Sequence, residues 1–395
     1  MRIGIVTTWF ERGAAYVSKQ YMRNLIKEGH DVYIYARGGE HMARNDPNWD
    51  KPYVTWGLKL KGSYINEKHF FAWIERNRLG AILFNEQPYF KIVAVTKKKY
   101  PNVKICAYID YYTEALIPWY NIYDFVICNT LRHMQALENH PQSFYLRWGT
   151  DTEIFKPSNK KEDSSQVTFF HSVGMSTRKG TDVLIRAYIG GELYKRSKLV
   201  IHTQIPIERV CGYSKFQLQE YGIEVIEKTV TAPGLYYLGD VYVYPTRLDG
   251  LGLTMYEALA SGLPVITTNY PPMNEIIDNT VGKLVEVERN YCRRDAYYWP
   301  MSICDEKSLS RAIEYYIDHP ERLKLEKVNA RKRAEEYFDW SMRSDNLSRI
   351  FREAKIRDLD QELFEEIVHY YTKIPLKNNL VQSEFFVKIY KKIRK

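Results

Sequence analysis

The sequence predicts an α/β protein made of two successive domains, each with a largely parallel sheet covered by helices. Short, continuously apolar runs alternate with stretches of helical periodicity, as expected for strands buried on both faces. The alternation restarts after a polar, breaker-rich segment at 157–166, which is typical of a linker. The length of 395 residues fits two or three domains.

The individual elements follow from local periodicity and from helix caps. Before the linker we predict strands at 3–8, 32–36, 81–84, 104–109 and 125–128, helices at 14–27, 91–100 and 131–139, and a loop at 37–62. Gly29 is expected to end the first helix. After the linker we predict strands at 167–172, 199–203, 224–227, 241–245 and 265–268, and helices at 180–188, 206–221 and 251–261. From 306 onward the chain is predicted to be helical.

Composition and charge exclude few classes of protein. The net charge of +9 favours anionic partners such as nucleotide diphosphates, anionic lipids or nucleic acid, without choosing among them. The five cysteines show no C-x-x-C spacing, and Cys106 and Cys128 stand in apolar runs, so buried thiols in a reducing compartment are expected. The first residues do not resemble a signal peptide and no run of 18 apolar residues occurs, which predicts a cytoplasmic protein.

The C-terminal tail, from Lys373 onward, is basic and amphipathic. Seven lysines and arginines accompany a single acid, Glu384, and alternate with apolar residues. Such a helix can lie on an anionic membrane surface, which would place the protein peripherally at the inner face of the membrane. A helix docked on the protein body with solvated lysines is the other interpretation, and the sequence leaves both open.

The segment 241–266 carries the clearest chemistry. It predicts a strand, a glycine-containing turn at 249–252, a helix, a glycine cap and a second strand. Free N–H groups at the start of a helix bind diphosphates, and Gly250 and Gly252 would let a ligand approach the backbone. Glu257 could then grip the two hydroxyls of a ribose, and Asp249 would lie where the sugar leaves the diphosphate.

This segment resembles the donor-site signature of the retaining glycosyltransferases of family 4, also called group 1, which have the GT-B fold. The signature is an acid, seven residues and a glutamate, here Asp249 and Glu257. The resemblance implies that Glu257 binds the ribose and Asp249 the hydroxyls of the transferred sugar. Gly250, Leu251, Gly252 and Thr254 are expected to contact sugar or phosphate.

Further blocks agree in order and spacing. The segment 174–187 resembles the basic loop and helix that open the donor domain, so Lys179 and Arg178 are expected to stabilise the departing nucleotide diphosphate. Arg178 stands in for an arginine that the family often has where Gly174 lies here. The segment 148–157 resembles the family's signature at the domain junction. Glu275 matches a donor-site glutamate, although Pro271 and Pro272 replace the paired glycines that relatives often have.

The first domain corresponds to the acceptor side of the family. Gly13, after the first strand, is the candidate for close approach to the diphosphate, and Arg12 is either a phosphate contact or a surface residue. Many relatives have a histidine after the strand that matches 104–109, whereas this chain has Asp110 and Tyr111. Asp110 is either a contact to sugar or acceptor, or a helix cap.

The resemblance implies two Rossmann-like domains that face across a cleft, with a helical C-terminal extension. The acceptor domain is expected at 1–150, the donor domain at 165–340, and helices that partly pack back on the first domain, with the basic tail, at 341–395. The expected reaction is transfer of a sugar from a nucleotide diphosphate sugar to a hydroxyl of a glycan, glycolipid or polysaccharide, with retained configuration. No cofactor and no metal are expected.

Two alternatives of other kinds remain. One is a related enzyme that converts nucleotide sugars without transfer, such as an epimerase. The other is a glycosyltransferase that acts on modified nucleic acid, or a non-catalytic nucleic-acid-binding protein, which the charge permits. Nucleic acid is disfavoured as a partner because no helix-turn-helix, zinc-finger or RNA-binding signature occurs.

Overall fold

The structure, a computed structural model, describes residues 1–39, 42–59, 63–158 and 166–372. By their contacts these residues form two compact units, the first from 1–147 with 343–372, and the second from 148–342. Most of the predicted linker at 157–166 and all of the basic tail from Lys373 lie outside the described residues.

The first unit contains a seven-stranded sheet with the order β3-β2-β1-β4-β5-β6-β7, and every pairing in it is parallel. The strands are β1 (Arg2–Thr7), β2 (Asp31–Ala36), β3 (Val54–Trp56), β4 (Ala81–Asn85), β5 (Lys104–Tyr108), β6 (Phe125–Cys128) and β7 (Ser143–Tyr145). The sequence did not indicate β3, which lies inside the predicted loop 37–62, or β7. Both are edge strands of three residues, too short to show an alternating pattern.

Helices cover this sheet, and two of them come from the end of the chain. They are α1 (Gly13–Lys27), α2 (Glu67–Asn77), α3 (Phe90–Lys99), α4 (Leu131–Ala136), α11 (Ser344–Glu353) and α12 (Gln361–Thr372). The α11 helix packs on α1, where the Ser344 hydroxyl donates to Glu28 at 2.7 Å. The α12 helix packs on α3, and the Tyr371 hydroxyl donates to the Pro88 carbonyl at 2.8 Å. The C-terminal helices therefore complete the first unit.

The second unit contains a six-stranded parallel sheet and a separate antiparallel hairpin. The sheet has the order β10-β9-β8-β11-β12-β13, and the hairpin joins β14 to β15. The strands are β8 (Thr168–Gly174), β9 (Lys198–Thr203), β10 (Ile223–Glu227), β11 (Val241–Tyr244), β12 (Val265–Thr268), β13 (Gly282–Val285), β14 (Val287–Tyr291) and β15 (Met301–Cys304). The two parallel sheets confirm the predicted fold class, while the last three strands were not predicted.

The helices of the second unit are α5 (Thr181–Gly190), α6 (Ile207–Cys211), α7 (Lys215–Glu220), α8 (Leu253–Ala260), α9 (Glu306–Asp318) and α10 (Pro320–Arg333). The single helix predicted at 206–221 is wrong, because the chain breaks there into α6 and α7. Gly212 ends α6 in a left-handed conformation with φ of 78°. Ser214 then opens α7 with a reciprocal capping box to Gln217.

In each sheet the strand order reverses once, between β1 and β4 in the first unit and between β8 and β11 in the second. In open parallel sheets, ligands bind outside the carboxyl ends of the strands at such a reversal. The loops after β8 and β11 are 175–180 and 245–252, which contain the two blocks that the sequence analysis emphasised. Among the described helices, none is both long enough and apolar enough to cross a membrane.

Candidate functional site

The two loops at the strand reversal of the second unit are fastened to each other by their backbones. The Arg247 N–H donates to the Arg178 carbonyl at 2.8 Å. Gly180 has φ of 72°, and a Cβ atom there would lie 1.9 Å from the Pro245 carbonyl oxygen. Glycine is thus required at position 180, since no other residue allows the loops to approach so closely. This contact brings Lys179 to Asp249.

Asp249 is the centre of a compact polar cluster. Its Oδ2 atom accepts hydrogen bonds from the Lys179 ammonium and from the Tyr244 hydroxyl, and its Oδ1 accepts the Gly252 N–H at 3.1 Å. Burial by itself would raise the pKa of Asp249, but the adjacent Lys179 charge and these donated bonds hold the pKa well below its usual range. Asp249 is therefore a carboxylate paired with an ammonium group.

The turn after Asp249 leads directly into α8. Gly252 is the N-cap residue with φ of 70°, and a Cβ atom there would lie 2.3 Å from the Met255 Cε. Leu251 is buried, whereas Gly250 remains partly exposed. Asp249 occupies the Gly252 N–H, and the Met255 N–H donates to the Gly252 carbonyl at 2.9 Å. The Leu253 and Thr254 N–H groups of the first turn of α8 are therefore the ones that can bind an anion.

Glu257 lies on α8 and is held by a tyrosine from a different element. The Tyr236 hydroxyl donates to Glu257 Oε2 at 2.6 Å. Burial raises the pKa of Glu257 to about 7, against the lowering effect of this hydrogen bond. Glu257 thus changes its charge near neutral pH, unlike Asp249.

The raised pKa of Glu257 predicts that Glu257→Gln stabilises the protein above pH 7. The folded-state pKa of about 7 exceeds the ordinary value of 4.5, so the folded state keeps a proton that the unfolded state releases between these pH values. Stability is lost as pH rises through this window, by up to about 3 kcal/mol. Glutamine removes this penalty and still accepts the Tyr236 hydrogen bond.

Urea unfolding of both proteins at pH 5 and pH 8 checks this expectation. The gain in the free energy of unfolding should be large at pH 8 and small at pH 5. Glu220→Gln, at an exposed position at the end of α7, is the matched control and should show no such pH dependence. An equal gain at both pH values would contradict a raised Glu257 pKa.

Other residues predicted for the donor site occupy the same edge of the sheet. Thr254 lies in the first turn of α8 with its hydroxyl beside the Tyr242 and Tyr244 hydroxyls. Arg178 is partly exposed, and its N–H donates to the Ser176 hydroxyl at 3.2 Å. Glu275 ends a single 3-10 turn, Met273–Glu275, after β12 and is partly exposed.

Sequence reasoning missed three residues that organise this site. Tyr244 and Tyr236 bind the two acids, as described above. Arg247 donates to Asp182 Oδ2 at 2.6 Å, and Asp182 also pairs with Arg186, so the loop after β11 is tied to the start of α5. For Tyr244 the sequence did contain a signal, because Tyr242 and Tyr244 alternate in β11 and alternate residues of a strand share a face.

In the first unit the predicted residues lie at the carboxyl ends of β1 and β5. Arg12 is the N-cap of α1, its carbonyl accepts the Ala15 and Tyr16 N–H groups, and both Arg12 and Gly13 are exposed. Asp110 follows β5, and Tyr111 beside it is 39% exposed. Asp110 is not the cap of the next helical turn, because Thr113 occupies that position.

A histidine lies beside Asp110 after all, although it comes from another element. His133 of α4 is fully buried, and its Nε2 is 3.9 Å from Asp110 Oδ1. Burial lowers the pKa of His133 well below its ordinary value, so the ring is neutral. The sequence separation of 23 residues hid this pair. Among the described residues, no group of three or more His, Cys, Asp or Glu side chains could hold a metal ion.

Comparison with known proteins gives a family match in the second unit. Residues 165–292 match the family model described as glycosyl transferases group 1. The lipopolysaccharide core biosynthesis mannosyltransferase LpcC of Rhizobium leguminosarum bv. viciae is 26% identical over 198 residues, covering 44% of this chain and 49% of that protein. The match thus spans about half the length of this curated relative.

Solved structures resemble the chain over most of its length. Sucrose-phosphate synthase from Thermosynechococcus elongatus has a TM-score of 0.67 at 16% identity, over 89% of this chain and 98% of that one. Anabaena HepE, solved with UDP-glucose, has a TM-score of 0.66 at 13% identity, and the match covers 89% of this chain and 99% of that one. At these identities the likeness is one of fold. Residues 165–292 therefore resemble a group 1 glycosyltransferase domain, and the chain has the fold of the GT-B glycosyltransferases.

Proposed function

We propose that the protein is a retaining glycosyltransferase that moves a sugar from a nucleotide diphosphate sugar to a hydroxyl group. The observation that carries this proposal is the pairing of Lys179 with Asp249 at the N-terminus of α8, with Glu257 one turn further along the same helix, inside the matched segment. It combines a cation, a helix N-terminus and two carboxylates of different pKa at one strand reversal.

Each of these groups matches a part of the donor. The Glu257 carboxylate accepts the two ribose hydroxyls, and Tyr236 fixes its orientation. The diphosphate lies against Lys179, Arg178 and the first turn of α8, where positive charge and free N–H groups favour it. Asp249 accepts hydrogen bonds from hydroxyls of the transferred sugar. The incoming diphosphate attracts the Lys179 ammonium and thereby weakens its ion pair with Asp249. Thr254 and Glu275 complete this side of the site.

The reaction breaks the bond between the anomeric carbon and the diphosphate oxygen, and the nucleotide diphosphate leaves with the electron pair. The acceptor oxygen forms the new bond on the same face, and its proton passes to the departing phosphate. Negative charge grows on that phosphate in the transition state, where Lys179 and Arg178 stabilise it. Accurate placement of donor and acceptor supplies the remainder of the rate enhancement.

The acceptor is a hydroxyl of a glycan, a glycolipid or a growing polysaccharide, in keeping with the lipopolysaccharide mannosyltransferase among the relatives. The candidate residues for it in the first unit lie at the carboxyl ends of β1 and β5. Arg12 and Gly13 stand at the exposed N-terminus of α1. Asp110 and Tyr111 offer a carboxylate and a partly exposed aromatic ring for a sugar.

A screen of thermal stability and turnover against UDP-, GDP-, ADP- and TDP-sugars tests the proposal. We expect the sugars of one nucleotide class to raise the melting temperature, because the site binds diphosphate, ribose and base together. A nucleotide sugar of that class should also be hydrolysed slowly in the absence of acceptor. Glu257→Ala should abolish the shift, and Glu220→Ala should keep it. Retention is checked by NMR of the anomeric configuration of the product. If no nucleotide sugar shifts the wild-type protein, the proposal is wrong.

A further inference from the structure

A hairpin outside the parallel sheet follows β13 and occupies residues 287–304, with β14, a nine-residue loop at 292–300 and β15. The segment that matches the family model ends at residue 292, inside this hairpin. The loop and the returning strand therefore lie beyond the matched part of the domain. Their contacts show what the hairpin is attached to.

The hairpin is packed directly on the loop that carries Asp249. The Ser302 N–H donates to the Arg247 carbonyl at 2.8 Å. Leu248, the residue before Asp249, is only 2% exposed and forms a buried cluster with Tyr297 and Met301, with Trp299 packed against it. A rigid connection thus joins the aromatic loop of the hairpin to the donor loop.

The outer part of the hairpin presents aromatic and polar groups side by side. Tyr298 is 39% exposed, and its ring stands perpendicular to that of Trp299 with centroids 4.9 Å apart. Arg293 lies over the Tyr297 ring at 5.2 Å, and its Nε is 2.9 Å from Asp295 Oδ1. This cation contact and ion pair fix the base of the loop, so the aromatic corner is held in place.

An aromatic corner beside charged, planar side chains suits a sugar ring. The C–H face of a pyranose is apolar and packs on an aromatic face, while its hydroxyls bond to carboxylate and guanidinium groups at the edge. Under the proposed function the transferred sugar is held at Asp249 and α8. Tyr298 is exposed and not part of the cluster that covers Leu248, and Trp299 packs against that cluster without being fully buried, so these two rings fit a different saccharide.

We propose that the hairpin 287–304 is a saccharide subsite for the acceptor, in which Tyr298 and Trp299 stack against a sugar ring. This inference rests on the proposed function and narrows the acceptor to an oligosaccharide or glycan chain. The subsite increases affinity for the acceptor and takes no part in cleavage of the donor.

Two arms test the subsite, both with the full-length protein. The first measures binding of maltohexaose, cellohexaose and a mannose pentasaccharide, together with a printed glycan array, to the wild type, Tyr298→Ala and Trp299→Ala. We expect binding of at least one saccharide to weaken about 5- to 10-fold in both variants. Tyr291→Ala is the matched control, since Tyr291 has the same 39% exposure on the same hairpin. Trp299→Phe, which keeps an aromatic ring, should retain most of the affinity.

The second arm measures hydrolysis of the donor in the absence of acceptor, and the acceptor KM. We expect unchanged hydrolysis and a raised KM in the Tyr298 and Trp299 variants. Saccharide binding and acceptor KM that are insensitive to both substitutions would overturn the subsite. An equal fall in donor hydrolysis would also overturn it, because the two rings would then serve only to support the donor loop. Saccharide binding through the rings without donor hydrolysis in the wild type would refute the proposed function and leave the subsite standing.

Discussion

Replacing Lys179 by methionine is expected to lower kcat/KM for sugar transfer by about 10²- to 10³-fold, the range found when a preorganised group that stabilises transition-state charge is removed. Methionine keeps most of the length of the side chain and removes its charge. Because negative charge on the diphosphate grows as the bond breaks, the loss should fall more on kcat than on KM. Steady-state kinetics with the donor identified by the nucleotide screen measures this split.

Lys179→Met is also expected to lower the stability of the folded protein. This effect has to be measured separately from the effect on catalysis. The substitution leaves the Asp249 carboxylate with the Tyr244 and Gly252 donors but without its cation. Stability should therefore fall by about 2 kcal/mol, less than for a fully buried pair because both side chains keep some exposure. Lys215→Met, at an exposed lysine of α7, is the control and should change neither quantity.

One outcome would contradict the assignment of Lys179 to the departing diphosphate. If Lys179→Met remains folded at the assay temperature and keeps wild-type kcat, then Lys179 serves only to neutralise Asp249. In that case the charge on the departing diphosphate is stabilised by Arg178 and the helix N-terminus, and Arg178→Met should show the kinetic loss instead.

The strands and the motif that could be predicted are those that leave a pattern in a short stretch of sequence. The buried strands at the centre of each sheet, such as β4 and β11, are continuous apolar or aromatic runs, and their ends were predicted to within a residue or two. The donor motif was also visible, because the turn at 249–252 and the start of α8 are close in sequence. Glycine at 252 is imposed by the backbone, so the local sequence records it.

Contacts between distant segments were not predictable from the sequence. The hairpin 287–304 shows no alternating pattern, since four of the five residues in β14 are exposed, and its position depends on Leu248. Tyr236 reaches Glu257 from 21 residues away, and Lys179 meets Asp249 across 70 residues. Both acids were assigned to the site from the local pattern and the resemblance. The sequence did not show that Lys179 lowers the pKa of Asp249, or that burial raises the pKa of Glu257 against the Tyr236 hydrogen bond.

Replacing Asp249 by asparagine is expected to lower kcat/KM by about 10- to 10²-fold, because hydroxyls of the transferred sugar lose a charged acceptor worth about 1.5–3 kcal/mol. Asparagine has the same shape, and its carbonyl oxygen can still accept the Gly252 N–H that positions the turn. Transfer kinetics and urea unfolding of the wild type, Asp249→Asn and Asp249→Ala measure the two effects. Alanine should lose more stability than asparagine, because it also removes that hydrogen bond.

The pH dependence of stability separates the charge of Asp249 from its shape. Its pKa is depressed in the folded state, so its contribution is present above the ordinary carboxyl pKa of about 4 and is lost as pH falls toward the folded-state value. The stability difference between wild type and Asp249→Asn should therefore narrow below pH 4. A difference that stays constant from pH 7 to pH 3 would show that the ion pair with Lys179 contributes nothing.

The double variant Lys179→Met/Asp249→Asn provides the decisive comparison. Each single substitution leaves one charge of the pair partly buried without its partner, whereas the double variant removes both charges. We therefore expect the double variant to be more stable than the sum of the two single effects predicts, by about 1–3 kcal/mol. Activity should behave differently: if Lys179 acts on the diphosphate and Asp249 on the sugar, restoring stability will not restore transfer. A double variant that regains both would mean that the pair is structural.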